Sequence, residues 1–456
     1  MKKILLGTTA LIGASAVAAG SAVAMPLQSF GEGDKPILTA SIVMQFEAGI
    51  ADNDKPNGQD VIGTTNGKRD GKFVSGRFAE IWFQGELTAD NGLVYGARIS
   101  LAADTPTRTN TYPGRKYIWL SGGWGSIELG DWIGPASGLA INPMAQEVSG
   151  NGLFDHAATE YIKIPNSGLT PPGDFQVFNG NYLGWFVADF GTKVSYYSPK
   201  IAGFQAGASY SPTTDNIGQS LSNRGGTAQA LNNNGGFSDA VGLGVRYDGD
   251  FSGLTFGAAW TAVYGNADDT TSCSALAGGA TTGTCTGIQH FKRDDLATWN
   301  IGAKVGYAGF ILAGNYYDDD GSGFREIEQA QVNGWTVVGT YETGPIKIGL
   351  NYMTMEVEHN ALWAARTGFG TAGTIAAPIG ARNAINTFAL PFTAGVTGDR
   401  TVVDSYNAEG FGGGVGYQLA PGLKLYADIG YFDFDAPIPE LENNGIVGYG
   451  GIYVSF

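Results

Sequence analysis

The stretch Leu296–Tyr307, LATWNIGAKVGY, decides the reading of the fold. Trp299, Ile301, Ala303, Val305 and Tyr307 fall on one face of an extended chain, and Asn300, Gly302 and Lys304 fall on the other. Ile346–Tyr352 repeats the scheme, with Ile346, Ile348, Leu350 and Tyr352 opposing Lys347 and Asn351. Leu423–Ile429 does so again, with Leu423, Leu425, Ala427 and Ile429 against Lys424, Tyr426 and Asp428. A lysine recurring between large apolar residues needs a wet side and an apolar side on one strand. A barrel in a membrane supplies both, with a polar lumen and an apolar exterior. Alternation alone would also suit a soluble sandwich, so segment length, turn asymmetry and aromatic placement must separate the two.

Seven tight turns punctuate the chain: Asp90-Asn91-Gly92, Gly122 to Gly125, Ser198 to Gly203, Asp248 to Gly253, Ala308-Gly309, Thr343-Gly344-Pro345 and Ala420-Pro421-Gly422. Each is built from turn formers. Between them lie long polar loops at about 51–72, 103–115, 131–190, 212–238, 265–295, 318–332, 357–403 and 434–444. Short turns alternating with long loops predict sixteen antiparallel strands and the one-sided layout of an outer-membrane barrel. The strands are expected at 37–50, 73–88, 93–102, 116–121, 126–130, 191–198, 204–211, 239–248, 254–264, 296–307, 310–317, 333–342, 346–356, 404–419, 423–433 and 445–456. Tyr196, Tyr210, Tyr247, Trp260, Tyr307, Tyr316 and Tyr431 fall near strand ends, where interfacial girdles sit.

Composition agrees. The chain holds 72 Gly, 24 Phe, 21 Tyr and 9 Trp, yet only 15% of it is charged, which suits strands and tight turns. Its mean hydropathy is near zero, as a two-faced barrel wall requires. At the N-terminus, Lys2 and Lys3 precede an apolar run, and Ala22-Val23-Ala24 fits a small-x-small cleavage site. The expected division is a signal peptide at 1–24 and a barrel at 25–456, exported with Met25 as its first residue. No later run is long and apolar enough for a membrane helix. Loss of the two signal lysines takes the formal charge from −16 to −18, which disfavours nucleic acid as a partner. Cys273 and Cys285, with eleven residues between them in a Gly-, Thr- and Ala-rich stretch, are expected to form one loop disulfide in an oxidising compartment.

Chemistry is sparse. His156, His290 and His359 all fall in expected loops, with no strand-borne Ser beside them for a surface dyad, and they make poor metal ligands in isolation. The run Gly410 to Gly416 precedes no helix and so is no phosphate loop; it reads as a smooth strand face at a protein contact. Asp318-Asp319-Asp320-Gly321 is only faintly like a calcium loop, because the downstream ligand spacing is missing. No metal or cofactor is expected, and no enzyme activity.

Four stretches then resemble the Gram-negative porin family, above all the general porins of alphaproteobacteria. They are RKYIWLSGGWGSIELGDW (Arg115 to Trp132), KVSYYSPKIAGFQAGASYSP (Lys193 to Pro212), GVGYQLAPGLKLYADIGYFDFD (Gly414 to Asp435) and the terminal GIYVSF (Gly451 to Phe456). The resemblance implies a channel for passive diffusion of small hydrophilic solutes and ions across the outer membrane. It implies a homotrimer, contact with membrane lipid and lipopolysaccharide, and insertion by the barrel assembly machinery, with Phe456 as the assembly signal. It also implies that the third loop, 131–190, folds into the lumen and sets a constriction in which loop acids face basic wall residues. Loop acids on this pattern are Asp131, Glu147, Asp155, Glu160 and Asp174. Lys193 occupies the position of a wall arginine, and one of Arg115 and Lys116 must face the lumen in either register. Glu80 and Asp131 stand where the family often has Arg, so a modest cation preference is expected. A substrate-specific channel, with Trp185 and Phe186 of the third loop on the path, is the alternative; a barrel enzyme or adhesin is a lesser one.

Overall fold

A computed structural model of the chain describes residues 37–54, 71–102, 112–143, 192–213, 237–267, 270–273, 288–322, 331–358, 405–435 and 443–456. Their elements in chain order are β1 (Ile37–Asn53), β2 (Gly71–Thr88), β3 (Val94–Ala102), β4 (Tyr112–Gly122), β5 (Gly125–Asp131), a short helix α1 (Pro135–Gly138), β6 (Thr192–Tyr197), β7 (Phe204–Thr213) and β8 (Phe237–Phe251). Then follow β9 (Leu254–Ala267), β10 (Thr270–Cys273), β11 (Ile288–Phe291), β12 (Leu296–Tyr307), β13 (Phe310–Asp319), β14 (Gln331–Thr343), β15 (Ile346–Glu358), β16 (Ser405–Ala420), β17 (Leu423–Asp435) and β18 (Asn443–Ser455).

All of these strands except β10 and β11 form one closed antiparallel barrel of sixteen, each pairing with its neighbour in the chain, and β18 returns to β1. At that seam Phe456 and Ile42 exchange two backbone hydrogen bonds of 2.9 and 3.1 Å. Every expected strand is present. The loop expected at 265–295 carries an addition, the separate hairpin β10–β11, in which Cys273 pairs with Ile288.

The seven turns close one end. Three of them place both central residues in the left-handed region: Ala202 (φ 49°) with Gly203 (89°), Ser252 (52°) with Gly253 (85°), and Ala308 (49°) with Gly309 (88°). This is the type I′ geometry whose twist matches that of the flanking strands, and it explains why glycine fills the second position.

The apolar face of each strand points outward. Phe251 is 74% exposed, Ile201 68%, Phe310 60% and Leu350 58%. A continuous apolar exterior of this kind requires lipid. Aromatic pairs cluster towards its two edges: Phe204–Tyr247–Phe256 and Phe310–Tyr341 near the short turns, Trp299–Tyr316 and Trp335–Tyr352 near the long loops. No described helix is long and apolar enough to cross a membrane. The buried apolar contacts lie inside the barrel. One cluster joins Ala136 and Ala140 to Phe237, Ala240, Val263 and Leu296, and another joins Trp82, Trp132 and Ile133, with Tyr117 against them.

The Gly410 to Gly416 run departs from expectation. Gly410, Gly412, Gly414 and Gly416 pair with Phe432, Gly430, Asp428 and Tyr426 on the inward face of β17, so the smooth face they form lines the lumen rather than a protein contact. A Cβ on Gly414 would collide with the Asp428 carboxylate.

Candidate functional site

Pairing register decides which side chains reach the lumen. Gln84 pairs with Arg98 and Arg98 with Tyr117; Trp82 pairs with Ser100 and Ser100 with Arg115. The intervening Phe83, Ile99 and Ile118 are exposed on the lipid side, so these partners line the inside.

Immediately after β5 the chain turns inward. The Trp132 ring stacks on Tyr117 (centroids 5.0 Å apart, 17° between planes) and meets Trp82 edge-on at 5.5 Å. The Arg98 guanidinium lies 3.7 Å over Trp82 and 5.5 Å from Trp132, and that of Arg115 lies 5.2 Å from Trp132. Each distance falls within the range in which a ring face attracts a cation. The backbone is fastened too: Lys193 Nζ donates to the Trp132 carbonyl at 2.6 Å, and the Tyr197 hydroxyl donates to the Ile133 carbonyl at 3.2 Å.

From there the segment crosses the inner wall. The short helix α1 packs over β6, β7, β8 and β9, and Arg246 Nη1 donates to the Ala140 carbonyl at 3.3 Å. Glycines make room for it. A Cβ on Gly244 would lie 2.6 Å from the Pro135 carbonyl oxygen, and one on Gly302 would lie 2.5 Å from that of Ile141. Residues 132–143 are therefore seated inside the barrel from β4 round to β12.

The expected wall residues divide. Arg115 is the inward member of its pair. Glu80 is inward and buried, level with Val43 and Ala102. Lys193 is inward but only 5% exposed, holding the Trp132 carbonyl rather than presenting an open charge. Lys116 and Asp131 do not lie on the pore wall. The row Ile99–Lys116–Asp131–Thr192 is in phase with the lipid-facing Ile118 and Val194, so both residues belong to the outer side. There Thr192 donates to the Asp131 carboxylate, which lies 3.7 Å from Lys116 Nζ. Glu147, Asp155, Glu160, Asp174, Trp185, Phe186 and Cys285 lie outside the described residues.

Arg246, Lys304, Lys347 and Lys424 face inward as their alternation predicts. Towards the short-turn end, Asp248 gathers Arg246 (3.0 Å), Lys200 (3.1 Å) and Lys304 (3.9 Å). Acids oppose these cations elsewhere. Glu47, fully buried, accepts from Gln45 at 2.7 Å and from the Tyr426 hydroxyl at 2.6 Å. Asp318 and Asp319 occupy opposite faces of β13, and the Asp319 carboxylate accepts the Ser322 amide at 2.7 Å, so the triplet does not converge on one ion.

Sequence reading passed over Arg98, Trp82 and Tyr117. Arg98 stands between Ala97 and Ile99, the same cation-among-apolars signal that identified Lys304.

A family model described as Gram-negative porin matches residues 7–437. Among curated relatives, the uncharacterized protein RP068 of Rickettsia prowazekii is 25% identical over 322 residues, 62% of this chain and 72% of its own length. An uncharacterized protein of Rickettsia felis is 24% identical over 390 residues, 77% of this chain and 86% of its own. Among solved structures, OmpT of the Vibrio cholerae outer membrane aligns with a TM-score of 0.52 at 10% identity, covering 94% of this chain and all of that one. An anion-selective porin from Comamonas acidovorans aligns with a TM-score of 0.51 at 14% identity, covering 92% of this chain and all of that one. At such identities the two structures share the fold.

Proposed function

The chain belongs to the Gram-negative porin family and is an outer-membrane barrel channel; on that premise we propose that it passes small hydrophilic solutes and ions by passive diffusion, with a modest preference for cations. The observation that carries the reading is the closed barrel with charged and polar side chains inward and residues 132–143 seated against its inner wall. The remainder of the third loop, 144–190, completes the constriction in this reading. Catalysis forms no part of it: His290 pairs with Thr271 on the β10–β11 hairpin, apart from the barrel sheet.

Selectivity is decided where the passage is narrowest, because low-dielectric walls focus the field there. Inward cations such as Arg98, Lys304 and Lys424 are opposed by inward acids such as Glu80, Glu128 and Asp428, so the loop tips the balance. It holds Glu147, Asp155, Glu160, Asp174 and Asp189 against Lys163. In planar bilayers under a KCl gradient, the reversal potential should have the sign for cations. Glu147→Gln or Asp155→Asn should move it towards zero. Asp318→Asn, on the outer face of β13, should leave it unchanged. An anion-selective potential, or three variants that behave alike, would refute this assignment.

The signal cleavage and the disulfide follow from the sequence, and the assembly partners from the family resemblance. The signal at 1–24 is removed, so the envelope protein begins at Met25, and a mass that includes Lys2 and Lys3 would contradict this. The protein works as a homotrimer in contact with membrane lipid and lipopolysaccharide and is inserted by the barrel assembly machinery. The outer face of β18 and β1 carries small and apolar residues, with Gly448, Gly450 and Ile452 opposite Ile50, Ala48 and Phe46, which supports a subunit contact there. Cys273 and Cys285 are bonded in an extracellular loop. Closing so short a loop contributes about 3 kcal/mol at most. The native protein should therefore show no free thiol, and the barrel should survive reduction. Detecting two free thiols would rule the bond out.

A further inference from the structure

The inward segment has a second fastening, on β8, away from Trp132. Arg246, Asp248 and Asp250 are successive inward positions of that strand, running towards the short turn. The Pro135 carbonyl and the Leu139 side chain lie against Gly244, the inward position before them. Arg246 therefore sits on the short-turn side of the segment, between it and Asp248.

The guanidinium divides its donors between the two. Nε donates to both Asp248 oxygens, at 3.1 and 3.0 Å, and Nη2 donates to Oδ1 at 3.1 Å. Nη1 donates to the Ala140 carbonyl at 3.3 Å. A guanidinium is planar and rigid, so holding Nε and Nη2 on one carboxylate fixes where Nη1 points. Asp248 is fixed in turn, because its amide donates to the carbonyl of Gly203, in the tight turn between β6 and β7, at 3.0 Å. Two more cations close on the same carboxylate. Lys200 reaches it from that turn at 3.1 Å, and Lys304 reaches it from β12 at 3.9 Å. Lys304 can cross β9 because Gly257 pairs with both Asp248 and Lys304 and has no side chain. A Cβ there would lie 3.1 Å from Asp248 Oδ1 and from Lys304 Cε. One acid thus gathers three cations from three parts of the wall.

We propose that Asp248 is a positioning residue for the inward segment and acts through Arg246. Its carboxylate turns the guanidinium so that Nη1 meets the Ala140 carbonyl, and it keeps three cations folded on to the wall. Without that charge the three cations repel one another. Arg246, only 13% exposed at present, then swings towards the lumen and the Ala140 carbonyl loses its donor. The segment keeps its hold at Trp132 but loosens beyond it. The effect on current rests on the diffusion-channel reading above; the geometry does not.

The test uses the full chain, with amide hydrogen exchange in detergent and single-channel recording in KCl. Asp248→Asn removes the charge. Arg246→Lys keeps the charge but lacks the planar fork. Both should speed exchange at residues 136–142 and shorten the mean open time, each about tenfold, the scale for losing a hydrogen bond to a charged group. The two variants should part on the KCl reversal potential. Asp248→Asn uncovers three cations and shifts it towards anions, whereas Arg246→Lys leaves it as in the parent. A general loss of structure would not separate them. Asp250→Asn makes the same charge change at the next inward position and should leave exchange and open time unchanged. The double variant Arg246→Lys with Asp248→Asn should exchange no faster than either single variant, because both break one link. Unchanged exchange in Asp248→Asn, an equal effect from Asp250→Asn, or multiplied effects in the double variant would overturn the positioning role. A parent that carries no current would sink the channel reading, and the exchange rates alone would then decide the role of Asp248.

Discussion

Replacing Trp132 with Ala should lower the unfolding free energy by about 3–5 kcal/mol, the range for removing a large aromatic from a packed site. Trp132 is 4% exposed, stacked on Tyr117, edge-on to Trp82, and beneath the guanidinium groups of Arg98 and Arg115. Its loss leaves a cavity in which Tyr117 and Trp82 lose ring contacts and the two arginines lose a ring face. Neighbouring side chains cannot close the gap without pulling residues 133–143 along, because Lys193 and Tyr197 hold the carbonyls of Trp132 and Ile133. Trp124 supplies the comparison. It is 44% exposed and sits 6.5 Å from the Tyr196 ring. Trp124→Ala should cost about 1 kcal/mol or less. Denaturant unfolding of the two variants in one detergent measures the difference, and equal midpoints would mean that Trp132 is not the anchor its contacts imply. Trp132→Ala should also move the KCl reversal potential towards anions, because Arg98 and Arg115 become more accessible from the lumen.

The strands were legible because their signals are local. Period-two alternation in Leu296–Tyr307 needs no knowledge of the partner strand, and Ala308-Gly309 specifies its own turn. Placement around the constriction was less legible because it depends on pairing. Sequence required one of Arg115 and Lys116 to face inward but could not choose. The choice follows from the register of β3 on β4, with its irregularity between Ser100 and Leu101, which sets Arg115 opposite Ser100 and Lys116 opposite Ile99. Asp131 followed Lys116 outward for the same reason, since the two are direct partners. The seat of the inward segment is non-local as well. Its trace in the sequence is the glycines that alternate with apolar residues, Gly242 and Gly244 within Val241–Val245 and Gly302 between Ile301 and Ala303. Those glycines read as ordinary strand residues until Pro135 and Ile141 are placed over them.

That seat supports a second large effect. Gly302→Val should force Ile141 off the wall, because the new Cβ would meet its carbonyl oxygen at 2.5 Å, and backbone cannot swing aside as a long side chain can. Gly244→Val should do the same to Pro135, whose carbonyl lies 2.6 Å from the added atom. Each overpacked site should cost about 1–3 kcal/mol. Residues 132–143 then move into the passage, and single-channel conductance should fall with added current noise while the barrel stays closed. Gly339→Ala is the comparison, since a Cβ there meets nothing within 4 Å; it should alter stability by less than about 0.5 kcal/mol and leave conductance unchanged. The double variant Gly244→Val with Gly302→Val discriminates further. If both glycines seat one segment, lifting it for the first clash relieves the second, and the combined cost should fall short of the sum of the single costs. Full additivity would instead mean two independent strand defects, and the inward segment would not be the rigid unit that its contacts from Trp132 to Ile141 describe.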